Sequence, residues 1–330
     1  MSVYEVQGAR FVPCMDSFLG AAKGVLAALG EERSFEDLWG FSSRAFRTQI
    51  HRTLAPAGLL PRQWDVTYGQ VMNRLGFACV AGLRDSFYTQ DDLSYLRGGW
   101  MRNIEKHLDQ GLPAIAYGLH GPAFGMIRGF DDTTEDFMVS TFLDGRCDGP
   151  VNVRDLGSSD PPCIFVLIPT GPLHAYDRKA AAREAIGEAL AQHLGQERDE
   201  QNQLIQVPAD LAEGQGAFEA WGVALHEQKV RPHWGAALMA GYYLEARTHG
   251  AAFLRQLARN EFPALAEPLV RAAEHLERET AHLTRLAALF PLQDPTALHD
   301  AQRIGQALEA LRASAQAHAA AMQTLAEMKK

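Results

Sequence analysis

The sequence predicts an α+β domain followed by an all-α domain, and three observations carry that reading. The chain is 330 residues long and 47% hydrophobic, about twice the usual domain size and rich enough in apolar groups to bury two adjacent cores. Up to about residue 172, helix-like and strand-like segments alternate, with the turn signals GFDD, FLDGRCDGP and GSSDPP between them. Beyond Pro172 the composition shifts to Ala, Leu, Glu, Arg, Gln and His, and long 3.6-residue periodicities replace the strand-like runs. The expected domains are therefore 1–172, helices packed on an antiparallel sheet, and 173–330, a helical domain.

The elements follow in order. Segment 16–29 (DSFLGAAKGVLAAL) has apolar residues at helical spacing, Asp16 to cap it and Gly30 to stop it. A second helix is expected over 45–52, a third over 62–75, and a fourth over 90–108, where Trp100, Ile104 and Leu108 recur on one face. Between 113 and 166 the runs PAIAYGL, AFGMIRGF, FMVSTF and CIFVLI read as strands of an antiparallel meander. His120, Gly121 and Pro122 alone separate the first two, so they predict a tight turn at one end of the sheet. Helices are expected near 176–195, 214–228, 232–248, 250–260, 262–289 and 296–328, the last with a fraying tail. Segment 196–213 reads as an exposed connection with one short extended piece.

Charge and motif content exclude several functions. A formal net charge of −9 supplies no sequence-wide positive field for phosphate backbones or anionic lipid, so neither nucleic acid nor a membrane is expected as partner. The N-terminal MSVYEVQGARF has no signal-peptide pattern, and no apolar run approaches the roughly 18 residues of a membrane helix, which predicts a cytoplasmic protein. Cys14, Cys79, Cys147 and Cys163 have no CxxC spacing, which excludes a thiolate zinc site and argues against a disulfide framework. The chain carries no GxGxxG after a strand, no GxxxxGK[ST], no GxSxG and no HExxH, and no cofactor is expected. Trp39, Trp64, Trp100, Trp221 and Trp234 fall on apolar helical faces and read as core or interface anchors.

Four places offer chemistry, each beside a plainer role. At the start of the first helix, Cys14, Asp16 and Ser17 lie together, where the helix dipole and free N–H groups lower a thiol's pKa and hold an oxyanion. Equally, Cys14 is a small buried hydrophobe and Asp16 and Ser17 are caps. His120, on the lip of the sheet, faces that helix as a base would face a thiol, or is a solvated turn residue, with Asp131 and Asp132 as turn formers. Arg44 and Arg47, three apart on one helical side, suit a carboxylate or phosphate, or are two solvated arginines, and Arg247 pairs with Glu245 or caps a helix. His275, Glu279 and His282 share a helical face at metal-ligand spacing, but lie beside the core stripe of Leu265, Leu269, Leu276 and Leu283, as a salt-bridged flank does.

The stretches DSFLGAAKGVLAALG, LWGFSSRAFR, LPAIAYGLHGPAFGMIRGFDD, AFEAW and YLEARTHGAAFL are similar to bacterial proteins with an N-terminal domain like butirosin biosynthesis protein H. Those domains are papain-like, in the superfamily of the bacteriocin-processing peptidases, so the resemblance implies a papain-like fold over 1–172 and thiol acyl transfer or amide hydrolysis. It implies a cysteine at the first helix start, a histidine beginning a central strand, and an orienting acid or amide on the next. Counted from Gly30 and from GFDD, those positions fall on Ser17, Ala123 and Ser140, while Cys14 and His120 each come three residues early. The resemblance thus leaves two expectations. In one, Cys14 is nucleophile and His120 base, acting on a small molecule, a peptide or a carrier-bound acyl group. In the other, the site is degenerate, Ser17 lacks a base, and the old cleft holds a ligand while the helices form a homodimer. Gly125, Arg128 and Asp131 would then shape the pocket.

Overall fold

In a computed structural model that describes residues 3–61, 63–84, 90–142, 148–157, 163–198 and 202–328, the chain divides into two compact units. The first joins Met1–Leu38 to Arg62–Tyr176, and the second joins Trp39–Pro61 to Asp177–Lys330. The sequence marks one boundary near 172; the extra excursion over 39–61 follows from burial. Trp39, Phe41 and Phe46 are fully buried, with Trp39 set edge-on to Tyr242 and both phenylalanines against Phe253.

The elements run β1 (Val3–Glu5), α1 (Ser17–Ala28), α2 (Phe35–Phe41), β2 (Gln49–His51), α3 (Trp64–Arg74), β3 (Phe77–Arg84), α4 (Gln90–Leu108), β4 (Ala114–Tyr117), β5 (Phe124–Asp131), β6 (Asp136–Thr141), β7 (Gly149–Asn152) and β8 (Ile164–Pro172). They continue with α5 (Arg178–His193), β9 (Leu211–Glu213), α6 (Gln215–His226), α7 (Gly235–Asn260), α8 (Ala266–Leu289) and α9 (Ala301–Glu327).

The first unit is α+β. Its antiparallel sheet runs β3–β8–β4–β5–β6–β7, and β1 lies against the end of β5, Val3 opposite Asp131. One face buries Ile127, Phe130, Val139 and Val166 with Ile104 and Leu108 of α4. α1 packs on β4 and β5. Its approach is close enough that a Cβ on Gly24 would lie 2.0 Å from the Arg10 carbonyl oxygen and 2.6 Å from Met126 Sδ, so only glycine fits there. Asp16 caps α1 as its sequence suggests, and Gly30, at φ 80°, ends it.

The second unit is built on α7, α8 and α9, with α5, α6 and the two-stranded β2–β9 ribbon. Three expectations are corrected. Residues 45–52 do not form a helix: Ser43 takes a φ of 62°, a turn follows, and β2 pairs with β9, Ile50 opposite Ala212. The two helices expected at 232–248 and 250–260 are one, α7. Gly250 is there for clearance, since its Cβ would come within 3.0 Å of Ala45 Cβ. The expected tight turn at 120–122 is a six-residue connection, 118–123. Cys147 lies outside the described residues. No helix among them is long and apolar enough to cross a membrane.

Candidate functional site

The start of α1 is the first place to look for chemistry. Asp16 is 4% exposed, and its Oδ1 accepts the N–H groups of Phe18 at 3.0 Å and Leu19 at 3.2 Å. Ser17, the first helical residue, accepts the N–H of Phe124 on its Oγ at 3.1 Å. Phe124 opens β5, so Ser17 and Ala123 are brought to one point. Ser140, on β6 opposite Met126, is buried and accepts the Phe11 N–H on its Oγ at 3.1 Å. Each hydroxyl oxygen thus accepts one backbone N–H, and Ala123, beside the donor Phe124, has a side chain that cannot take a proton from Ser17.

Cys14 is partly exposed and lies two residues before the cap. His120 is exposed on the 118–123 loop, which Gly118 N–H to the Ala123 carbonyl at 2.9 Å and Ala123 N–H to the Gly121 carbonyl at 2.8 Å hold in shape. Of the other described cysteines, Cys163 is buried and Cys79 has its thiol pushed up to about 11 by burial, which suppresses thiolate chemistry.

The three residues expected to shape the pocket are spread along β5. A Cβ on Gly125 would meet Thr141 Cγ2 at 2.9 Å and Leu119 Cδ1 at 3.1 Å, so this position is packed. Arg128 is ion-paired with Glu5 of β1, and Asp131 accepts the Thr133 N–H at 2.9 Å. At about 3.3 Å per strand residue, Arg128 and Asp131 sit about 13 and about 23 Å from Phe124.

Aromatic side chains crowd the helix start instead. Phe18 stacks on Tyr68 with ring centroids 3.9 Å apart, and Phe124 meets Tyr68 at 4.9 Å and Phe165 at 5.5 Å, both edge to face. Trp64 closes on Tyr117 at 4.7 Å. Each such pair adds about 0.5–1.5 kcal/mol beyond the apolar area it buries.

The helical unit holds a different constellation. Arg44 and Arg47 lie in the turn after α2, where structural partners take both. Arg44 Nη1 donates to the Leu59 carbonyl and to Tyr242 Oη, each at 3.1 Å, and Arg47 pairs with Glu188 at 2.5 Å and Glu197 at 2.9 Å. Arg247, fully buried, donates Nε to Glu279 at 2.9 Å, Nη1 to the Ala45 and Arg47 carbonyls at 2.8 and 3.0 Å, and Nη2 to Thr48 Oγ1 at 2.6 Å. The second Glu279 oxygen meets Nδ1 of buried His318 at 3.0 Å.

This corrects two readings: Arg247 pairs with Glu279, not Glu245, and Glu279 lies in the core, not on a solvated flank with His275 and His282. Burial alone would raise the Glu279 pKa, but Arg247 and His318 hold it below the usual carboxylate range. Burial pushes His318 down against the pull of Glu279, and it pushes neighbouring His193 down to about 4, helped by His318 and Arg247. No group of three or more His, Cys, Asp or Glu among the described residues is arranged to hold a metal. Thr48, His193 and His318 carry no sequence signal for these roles, because their partners lie far along the chain.

No family model matches the chain, and no curated protein matches it.

Proposed function

We propose that the first unit is a papain-like domain whose catalytic positions no longer hold catalytic residues, and that the protein works as a non-catalytic ligand-binding or assembly protein. One observation carries this reading: Ser17 Oγ accepts the Phe124 N–H at 3.1 Å with an alanine at 123. The α1 start bonded to the first residue of β5, with Ser140 on β6, supports this reading. Acyl transfer there needs an activated nucleophile, a base within hydrogen-bond reach and oxyanion donors. Ser17 has no base beside it, and the N–H groups of Phe18 and Leu19 are already bonded to Asp16.

A second reading keeps the displaced pair. The bond from Ser17 to Phe124 ties the loop that carries His120 to the helix that Cys14 precedes. In that reading His120 takes the Cys14 thiol proton, the sulfur attacks an acyl carbonyl, and the bond from that carbonyl to its amine or thiol breaks as the leaving group takes the proton from His120, leaving an acyl thioester on Cys14. Site-resolved iodoacetamide labelling between about pH 5 and about pH 9 separates the two, with Cys14→Ser and His120→Ala as controls. The non-catalytic reading expects labelling of Cys14 to rise only near the ordinary thiol range of about 8.5 and to ignore His120→Ala. Fast labelling near pH 6 that slows in His120→Ala would overturn it.

A further inference from the structure

The sheet of the first unit ends in two edges of different kinds. β7 is four residues long and carries Pro150, and short length and proline both blunt an edge against further pairing. β3 is eight residues long, contains no proline, and has no charged residue from Phe77 to Leu83. None of residues 78–83 is fully buried, and Val80 is 48% exposed. The pairing with β8 shows which backbone groups this edge leaves over. Leu173 donates its N–H to the Gly76 carbonyl at 2.8 Å, and Phe77 and Cys79 stand opposite Pro172 and Pro169, which have no N–H to give. Bonded positions alternate along an antiparallel strand, so Ala78, Val80 and Gly82 bond β8, while Cys79 and Ala81 turn their N–H and C=O groups outward. Among the described residues no backbone group bonds those of Cys79 and Ala81.

A row of alternating donors and acceptors has one complement, the edge of another extended chain. The side chains narrow that partner to a second copy. A two-fold axis sets a strand against itself, so any charge near the axis meets a like charge, which is how lysines guard edges from self-pairing. β3 has no such guard between Phe77 and Leu83. With the axis at Val80, Cys79 stands opposite Ala81 of the second copy, and Ala81 opposite its Cys79. These are the outward-facing residues, so each pair exchanges both of its N–H to carbonyl bonds. Between them Val80 meets Val80 in a non-bonded pair, where side chains come closest, and its exposed apolar surface is covered. A register centred on Ala81 would instead leave Val80 without its own copy opposite.

We propose that β3 pairs antiparallel with β3 of a second copy about a two-fold axis at Val80, joining two sheets into one. β8 and β4 lie between β3 and β5, so the pairing stands whether or not Cys14 is reactive. Sedimentation velocity of the full chain from about 10 µM to about 1 mM, a span set for a small interface, should show a monomer giving way to a dimer. Val80→Lys places like charges face to face, and Ala81→Pro removes an outward N–H while leaving every bond to β8 in place. Each should weaken association at least about tenfold, with thermal unfolding close to wild type. Should Ala81→Pro fail to fold, Val80→Lys, on an exposed side chain, decides alone. Val80→Cys brings two thiols together with Cα atoms about 4.5 Å apart, within the about 4.4–6.8 Å that a disulfide spans, so mild oxidation should link two copies through that position. A monomer at every concentration, a dimer that Val80→Lys leaves at wild-type strength, or no link through position 80 would overturn the proposal.

Discussion

Two helix starts in this molecule are built in opposite ways. At α1 the donors are satisfied: Asp16 takes two N–H groups, Ser17 takes that of Phe124, and aromatic rings fill the space beyond. At α6 a glycine stands where the cap would be. The difference teaches that a helix start can be closed by side chains or left to backbone and solvent: at α6 the Ala217 N–H bonds the Gly214 carbonyl at 3.2 Å, and Gln215 and Gly216 are exposed. Both units pack aromatic rings in their cores, and the second adds the buried network of Arg247, Glu279 and His318.

Breaking the charged core should have the largest effect. Arg247→Met leaves Glu279 buried without its cation and should cost about 3–5 kcal/mol, read by urea unfolding. Replacing Arg247 and Glu279 together by apolar residues should cost much less, because no uncompensated charge remains. Next comes Ser17→Ala, which strips the Phe124 N–H of its acceptor and should cost about 1–3 kcal/mol. If Ser17→Ala were neutral, the satisfied character of the α1 start would be wrong. Asp16→Ala removes the cap and should cost about 1 kcal/mol, while Gly214→Ala at α6 loses no capping bond and destabilises instead through its φ of 55° and a Cβ 2.9 Å from the His193 carbonyl oxygen.

The smallest expected effect is acidic. Burial, helped by His318 and Arg247, pushes His193 down to about 4 from an ordinary 6.5, so in that window the unfolded chain binds a proton that the folded chain refuses. Stability should therefore fall as pH drops from 6.5 towards 4, and His193→Gln should flatten that slope in thermal melts across the range. Partial exposure of His193 screens the effect and keeps it small.

Local signals were legible, and distant ones were not. The cap at Asp16, the stop at Gly30 and the apolar runs that became β4, β5, β6 and β8 each depend on neighbours within a few positions. β2 and β9, three residues each, find one another across about 160 positions, and nothing near either announces the other. Glu279 looked solvated because a single acid on a helix does not reveal that Arg247 and His318 will neutralise it in the core. In the first unit the shift of Cys14 and His120 away from Ser17 and Ala123 was readable by counting. That Ser17 Oγ would be occupied by the Phe124 N–H was not.

Segment 39–61 has one more consequence, and it concerns time. Its carbonyl at Ala45 is held by Arg247, 202 residues later. At about 5–20 residues per second of synthesis, that segment waits about 10–40 s for the guanidinium that anchors it. Throughout that interval Trp39, Phe41 and Phe46 have emerged without the helices that cover them. A chain cut after Tyr176 would be held permanently at that stage, with Trp39, Phe41 and Phe46 lacking the helices that bury them.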